Sequence, residues 1–349
     1  MYTREILPPR ASPIEDGKLL QGTWNRAFDE VDLLDVHRPY KYPIPRWAKD
    51  CRIKEWESFL IQDDHYYLEA FLGNVKLYRM AHVFLYDKDT HERFTFRKVL
   101  PGNAWRLPRR LSNDSVESRS YGFFFRIHNW LDADTIKLDL NIEATRRRTA
   151  FTAHVEFDLD RRRTTPMAVS LGMSEQRGLY MFKALASVRG DMVFGGRHII
   201  LNPEKSSGIF YDCKGFYPYR MHNIWCSGMG FDGENRRYGF SIGENQTRET
   251  HKNNENALWL DGELSPLPPV RITMPGGLES DWIIQDVEGM VDLVFTPREK
   301  IRCGINLVVT NTEHETPLGY YNGVLVSSKG EQIQVRNLWG LGERLYLRV

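Results

Sequence analysis

The sequence predicts an all-β protein with few short helices, on three observations. Short runs of alternating or continuous apolar residues recur along the chain and are closed by turn signals. No long segment holds a 3.6-residue apolar period with caps. A length of 349 residues, near twice that of an ordinary domain, favours two domains. Many short strands at close spacing argue for antiparallel barrels or sandwiches.

From the N-terminus, IPRWAKDCRIKEWESFLI (residues 44–61) carries a helical turn or two. Strands are then expected in YYLEAFLG (66–73), RMAHVFLYDKDTHERFTFRKVL (79–100), TIKLDLNIEA (135–144) and TAFTAHVEFDLD (149–160). In the third of these, Ile136, Leu138, Leu140 and Ile142 alternate with polar residues, the period of a strand with one buried face. Further strands are expected in RRYGFSIGEN (236–245), NALWLDGEL (256–264), VDLVFTP (291–297), INLVVTNT (305–312) and NGVLVSSKGEQIQVRNL (322–338). Asp232-Gly233 and Asp261-Gly262 suit tight hairpins, and SSKGEQ a slightly longer one. Gly190, Gly195, Gly196 and Pro203 interrupt the pattern before an aromatic stretch, so the domains are expected at 1–195 and 196–349.

Bulk composition excludes several function classes. Lys+Arg of 47 against Asp+Glu of 46 leaves no field that steers the chain onto nucleic acid or anionic lipid. The triple arginines 146–148 and 161–163 flank a strand-like segment and would lie about 45 Å apart, a poor footprint for RNA. No secretory signal or apolar run of about 20 residues is present, so no integral membrane segment is expected. The scattered cysteines Cys51, Cys213, Cys226 and Cys303 form no CxxC pair, which suits reduced thiols in a cytoplasmic protein. A phosphate-cradling glycine loop is missing as well, and no cofactor is expected. The 9 Trp, 16 Tyr and 18 Phe suit strands and cavity walls alike.

Candidate chemistry concentrates in YDCKGFYPYRMHNIWCSG (211–228). Asp212, beside Tyr211, Phe216, Tyr217 and Tyr219, is either a general acid whose pKa apolar rings raise or the acceptor of a turn through Gly215. Arg220 either holds a carboxylate or hydroxyl in its planar fork or pairs with an acid such as Glu244 or Glu255. Along a strand, Tyr219, Met221, Asn223 and Trp225 share one face and Arg220, His222 and Ile224 the other, so only one of Trp225 and Arg220 lines a cavity. In HKNNENALWL (251–260), His251 and Glu255 have i,i+4 spacing, but no third ligand follows and the asparagines favour turns, so no metal is expected. Glu255 and Asn256 enter a strand from a loop, either offering polar contacts at a cavity mouth or capping that loop. His314, in NTEHETPLGYYNG, is a base between strands or a solvated loop residue.

The run GIFYDCKGFYPYRMHNIWCSGMGFDGENRRYGFSIGEN (208–245), followed by NENALWLDGEL and VDLVFTP, resembles the bacterial family DUF2804. IKEWESFLIQDDHYYLEAFLGNVKLYRMAHVFLYD (53–87), FTFRKVLPGNAWRLP (94–108) and the terminal GYYNGVLVSSKGEQIQVRNLWGLGERLYLRV extend the resemblance over nearly the whole chain. Cys213-Lys214-Gly215 stands where the family has an Arg-centred turn, and Tyr217 and Asn223 stand where it has Trp. The family is similar, more remotely, to tandem lipocalin-like proteins that include carotenoid hydratases, cyclases and lipid carriers. That similarity implies two lipocalin-like antiparallel β-barrel or sandwich domains in tandem around a small-molecule cavity.

Three functions are expected to compete. The first is a cofactor-independent, acid-catalysed enzyme of hydratase, isomerase or cyclase type acting on an apolar small molecule, with Asp212, Glu255 and His314 catalytic and Tyr217, Tyr219, Arg220, Trp225 and Asn256 binding the ligand. A non-enzymatic carrier of a lipid-like ligand is the second. The third is a carbohydrate-active enzyme with Asp212 and Glu255 as paired carboxylates.

Overall fold

The structure, a computed structural model, describes residues 1–101, 105–306 and 311–348. Thr135–Ile142 is a strand in which Ile136, Leu138, Leu140 and Ile142 are all fully buried. Its neighbours Phe123–Trp130 and Phe151–Asp158 run antiparallel to it, placing Ile127 and Val155 opposite Leu138, and Phe125 and Ala153 opposite Leu140. Three rows of apolar side chains thereby share one face, and a one-residue slip would turn the whole set outwards.

Among the described residues the strands form two large sheets. The main path of the first runs Arg93–Pro101, Tyr78–Asp87, Tyr66–Asn74, Lys54–Gln62, Ser207–Gly215, Gly178–Phe194, Phe151–Asp158, Thr135–Ile142, Phe123–Trp130, Asp114–Ser120. The second runs Glu263–Pro266, Ala257–Leu260, Arg237–Glu244, Arg220–Phe231, Gln332–Arg348, Asn311–Val326, Val291–Asn306, Trp282–Asp286, Val270–Thr273. Both sheets curl into half-barrels, the tandem lipocalin-like architecture expected of the sequence. Among the described residues, helix is confined to Arg46–Arg52, which uses the turn or two expected before the strand at Lys54, and to the 3-10 turns Leu33–Asp35 and Leu131–Ala133. No helix is long and apolar enough to cross a membrane among the described residues. The expected run 305–312 is divided: residues 305–306 end one strand, 311–312 begin the next, and 307–310 lie outside the described residues.

Where the sequence suggested a division at residue 195, the chain makes a hairpin within the first sheet. Gly195 and Gly196, at φ of 58° and 82°, turn Gly178–Phe194 back into Arg197–Leu201. A glycine pair suits such a turn as well as it suits a linker. The change of sheets falls later, between Gly215 and Arg220, because Ser207–Gly215 is locked between Lys54–Gln62 and Gly178–Phe194. The aromatic stretch 211–228 therefore leaves one sheet and enters the other.

Each sheet encloses a core of its own, with Phe125, Leu138 and Phe157 in the first and Phe240, Trp282 and Phe295 in the second. A third core joins them, in which Leu60, Met181 and Ile209 of the first sheet meet Met229, Leu341 and Leu347 of the second. The hairpin at Asp261-Gly262 helps to hold this junction. Both of its turn residues have positive φ (48° and 81°), and Gly262 O accepts a hydrogen bond from Thr165 N at 2.8 Å. A Cβ at Gly262 would lie 1.8 Å from the Arg163 carbonyl oxygen. Gly262→Ala is accordingly expected to lower the unfolding free energy by about 1–3 kcal/mol in urea titration, and an unchanged midpoint would mean the hairpin is not docked there.

Candidate functional site

Strand parity decides which side chains meet between the sheets. Lys54, Trp56, Ser58 and Leu60 point from their strand into a cavity at the junction, as do Met181 and Lys183 from theirs, and Tyr211 and Cys213 from Ser207–Gly215. Trp225 and Ser227 of the second sheet close it from the other side, so the Trp225 face is the inward one and Arg220 lies on the outward one, exposed. The cavity has a volume of about 100 Å³ within a crevice of about 1000 Å³ that includes its mouth.

One polar pole of the cavity is an ion pair across the junction. Lys183 Nζ donates to Glu255 Oε2 at 2.6 Å and to Ser241 Oγ at 3.0 Å. Glu255 Oε1 accepts from Trp225 Nε1 at 3.0 Å and from Asn245 Nδ2 at 2.5 Å. The side chains are 1% and 0% exposed, so both charges depend on one another rather than on water. Beside them Tyr211 and Ser227 share a hydroxyl hydrogen bond of 2.8 Å.

A second polar group, adjoining the first because Glu343 lies opposite Trp225 in register, gathers Glu69, His314 and Glu343. Burial, reinforced by the negative charge of Glu343 and opposed by His314 and Arg97, pushes the Glu69 carboxyl up to about 8. Its Oε2 has no hydrogen-bond partner among the described residues and lies 3.9 Å from His82 Nε2. His82 is held neutral, pushed down to about 3 by burial and by Arg97. Burial also opposes a charge on His314, but the hydrogen bond and charge of Glu343 outweigh it and raise its pKa. His314 Nε2 lies 3.1 Å from Glu343 Oε2 and 3.4 Å from Thr316 Oγ1.

Protonation of Glu69 ties stability to pH. Between the ordinary carboxyl value of 4.5 and about 8, the folded chain keeps a proton that the unfolded chain has released. This group's contribution to stability is full below the lower value and is lost as pH rises through the upper one, at no more than about 1.4 kcal/mol per unit. Glu69→Gln is expected to flatten that part of the stability profile in denaturation series between pH 5 and 8. An unchanged slope would mean that the carboxyl is already ionised in the folded chain.

Of the residues singled out in the sequence, Glu255, His314 and Trp225 line this one cavity. His314 belongs to the buried wall of Asn311–Val326 rather than to a loop. Asn256 takes the capping alternative: its Oδ1 accepts from Gly243 N at 2.7 Å and its Nδ2 donates to Pro268 O at 2.8 Å, fixing the loop that delivers Glu255. Tyr217 is buried behind the cavity wall and stacks on Trp56, with ring centroids 5.6 Å apart. Tyr219 is 54% exposed, and Glu244, one partner considered for Arg220, is instead bonded to Arg271 at 2.6 Å. Asp212 points to the opposite side of its strand from Cys213, into the first sheet's own core. There it sits across from Glu57 and 3.3 Å from Lys214 Nζ; burial raises its pKa against the pull of that ammonium. Asp212 and Glu255 therefore share no cavity.

Glu69, Lys183 and Glu343 escaped the sequence reading, although each carries a mark. Each is a charged residue within a strand rich in apolar residues: YYLEAFLG, GLYMFKALASV and GLGERLYL. A charge in such a setting is retained only if a partner awaits it.

The sequence model of the family described as "Domain of unknown function (DUF2804)" matches residues 4–348. No curated protein matches the chain. Among solved structures, CghA aligns with a TM-score of 0.57 at 13% identity, covering 86% of this chain and 90% of CghA. The structure of CghA with Sch210972 aligns with a TM-score of 0.54 at 14% identity and the same coverage. Kievitone hydratase from Nectria haematococca aligns at 0.48 and 14% identity, over 84% of this chain and 88% of its own. At these identities the likeness to CghA is one of fold.

Proposed function

We propose that this chain, which belongs to the DUF2804 family, is an acid–base enzyme of the hydratase, isomerase or cyclase type, acting on a small organic molecule held between its two sheets. The observation that carries this reading is a neutral carboxyl, Glu69, facing an apolar cavity beside the His314–Glu343 ion pair. A carboxyl kept protonated near neutrality is matched to general acid catalysis. Glu69 donates its proton to a substrate atom as charge develops there. Glu343, neutralised by His314 until then, accepts a proton from a second substrate atom or from an attacking water. Donor and acceptor at one end of an apolar chamber suit addition or loss of water, a proton shift, or ring closure. The acid in this reading is Glu69, in place of Asp212, and Glu255 serves to hold Lys183 and Trp225 rather than to move protons. CghA, which has a similar fold, has been crystallised with Sch210972, and this supports a ligand-binding role for the architecture.

The experiment starts from the ligand. Native mass spectrometry of the purified chain, then denaturing extraction, identifies a bound compound; the compound is returned to fresh protein and followed for conversion. Conversion by the wild-type chain supports an enzyme. Recovery of the compound unaltered after long incubation at pH 5 to 9 would overturn the reading in favour of a carrier.

A further inference from the structure

Of the two buried lysines lining the cavity, one has no carboxylate partner among the described residues. Lys54 opens the strand Lys54–Gln62, is 4% exposed, and stands in the cavity wall. Its Nζ donates to two backbone carbonyls, Cys51 O at 3.1 Å and Val75 O at 3.0 Å. These supply dipoles but no charge, and no carboxylate among the described residues lies within 4.0 Å of it. The acids nearest to it are already engaged: Lys76 Nζ is 2.9 Å from both Asp50 and Glu55. Burial first, then the positive charges of Arg52 and Lys76, lower the Lys54 pKa to about 8 against the smaller opposing pull of Asp50, which Lys76 already engages. Lys183, the other lysine lining this cavity, has Glu255 for a partner, whereas Lys54 has no carboxylate partner among the described residues. A buried ammonium without a counter-charge is costly, and a ligand anion would relieve that cost.

We propose that Lys54 receives the anionic head group of the ligand, so that the substrate is an apolar carboxylic acid whose body runs from Lys54 towards Glu69. This deepens the acid–base reading of the same cavity and rests on it. Polar groups cluster at the Lys54 end. Val75 N donates to Tyr78 O at 3.1 Å, which keeps the carbonyl that holds Lys54 beside Tyr78, and the Tyr78 hydroxyl lies 2.9 Å from Thr312 Oγ1. Beyond them the wall carries Trp56, Phe71, Met80 and Leu345, with the Lys183–Glu255 pair already neutralised where Ser58, Tyr211 and Lys183 stand level in register. Glu69 is opposite Leu60 in register, six residues along the strand from Lys54, or about 20 Å between backbone positions at 3.3 Å per residue. Both side chains reach inward and shorten that span. A molecule with its acid at one end and its reacting atom well along the body fits this separation, whereas a compact sugar does not.

The test uses straight-chain carboxylates from hexanoate to tetradecanoate and the matching primary alcohols, titrated calorimetrically into the full chain. Carboxylates are expected to bind about 10- to 100-fold more tightly than alcohols of equal length, the range of a charge-assisted hydrogen bond. Lys54→Met should abolish that preference without weakening the alcohols, and Lys54→Arg should keep most of it. Alcohols binding as well as the acids, no binding of any carboxylate, or an undiminished preference in Lys54→Met would each overturn the proposal. Glu69→Gln separates this result from the acid–base reading. Its carboxylate preference should persist whether or not turnover is lost, and its disappearance there would place the anion at Glu69 instead of Lys54.

Discussion

Replacing Glu69 with glutamine is expected to lower turnover of the cavity's ligand by about 100- to 10,000-fold, the usual contribution of a general acid. Glutamine keeps the size of the side chain and a hydrogen-bond donor, but has no proton to give. Because the Oε2 of Glu69 has no hydrogen-bond partner among the described residues, the substitution removes no internal hydrogen bond seen there, and ligand affinity should be nearly unchanged. The loss should therefore appear in kcat and not in KM, the sign of an interaction made in the transition state. The pH profile carries the same information. An acid that must be protonated works below its pKa, so the wild-type rate should fall as pH rises through about 8. A Glu69→Gln variant that retains the wild-type rate, or a wild-type rate that climbs through that range, would remove Glu69 from the mechanism.

The strands were legible because alternation is a local property, and so was the division of Arg220–Phe231 into two faces, but which face points inward is decided only by the packing of the two sheets. The alternating apolar residues of Thr135–Ile142 needed only the two-residue period. What the local pattern could not supply was the second sheet. Asp212 is flanked in sequence by Tyr211 and Cys213, but on a strand those neighbours face the other way, into the inter-sheet cavity, while the Asp212 carboxyl meets Glu57 and Lys214 behind them. Sequence adjacency to aromatic rings therefore gave the wrong environment for its side chain. Glu69, Lys183 and Glu343 sit far apart in the chain and become a site only when Tyr66–Asn74, Gly178–Phe194 and Gln332–Arg348 are brought together at the junction. Glu255 and His314 stood out earlier because each lies in a polar stretch where a charged residue has little packing to explain it.

The largest stability effect is expected at Lys183. Its ion pair with Glu255 spans the two sheets, Lys183 in the long strand Gly178–Phe194 and Glu255 just before Ala257–Leu260. Lys183→Met removes the only cation bonded to Glu255 among the described residues and leaves a buried carboxylate with the neutral donors Trp225 Nε1 and Asn245 Nδ2. Breaking one side of a buried pair typically costs about 3–5 kcal/mol, because the remaining charge keeps its desolvation penalty without its partner. Urea unfolding should register that loss as a lower midpoint. The double variant Lys183→Met/Glu255→Gln should recover a substantial part of it, since it removes both charges together, and the shortfall from additivity measures the coupling between them. If Lys183→Met instead costs less than about 1 kcal/mol, the pair behaves as a solvated surface bridge. The inter-sheet cavity would then be open to water, and the low-polarity setting that keeps Glu69 protonated would be lost with it.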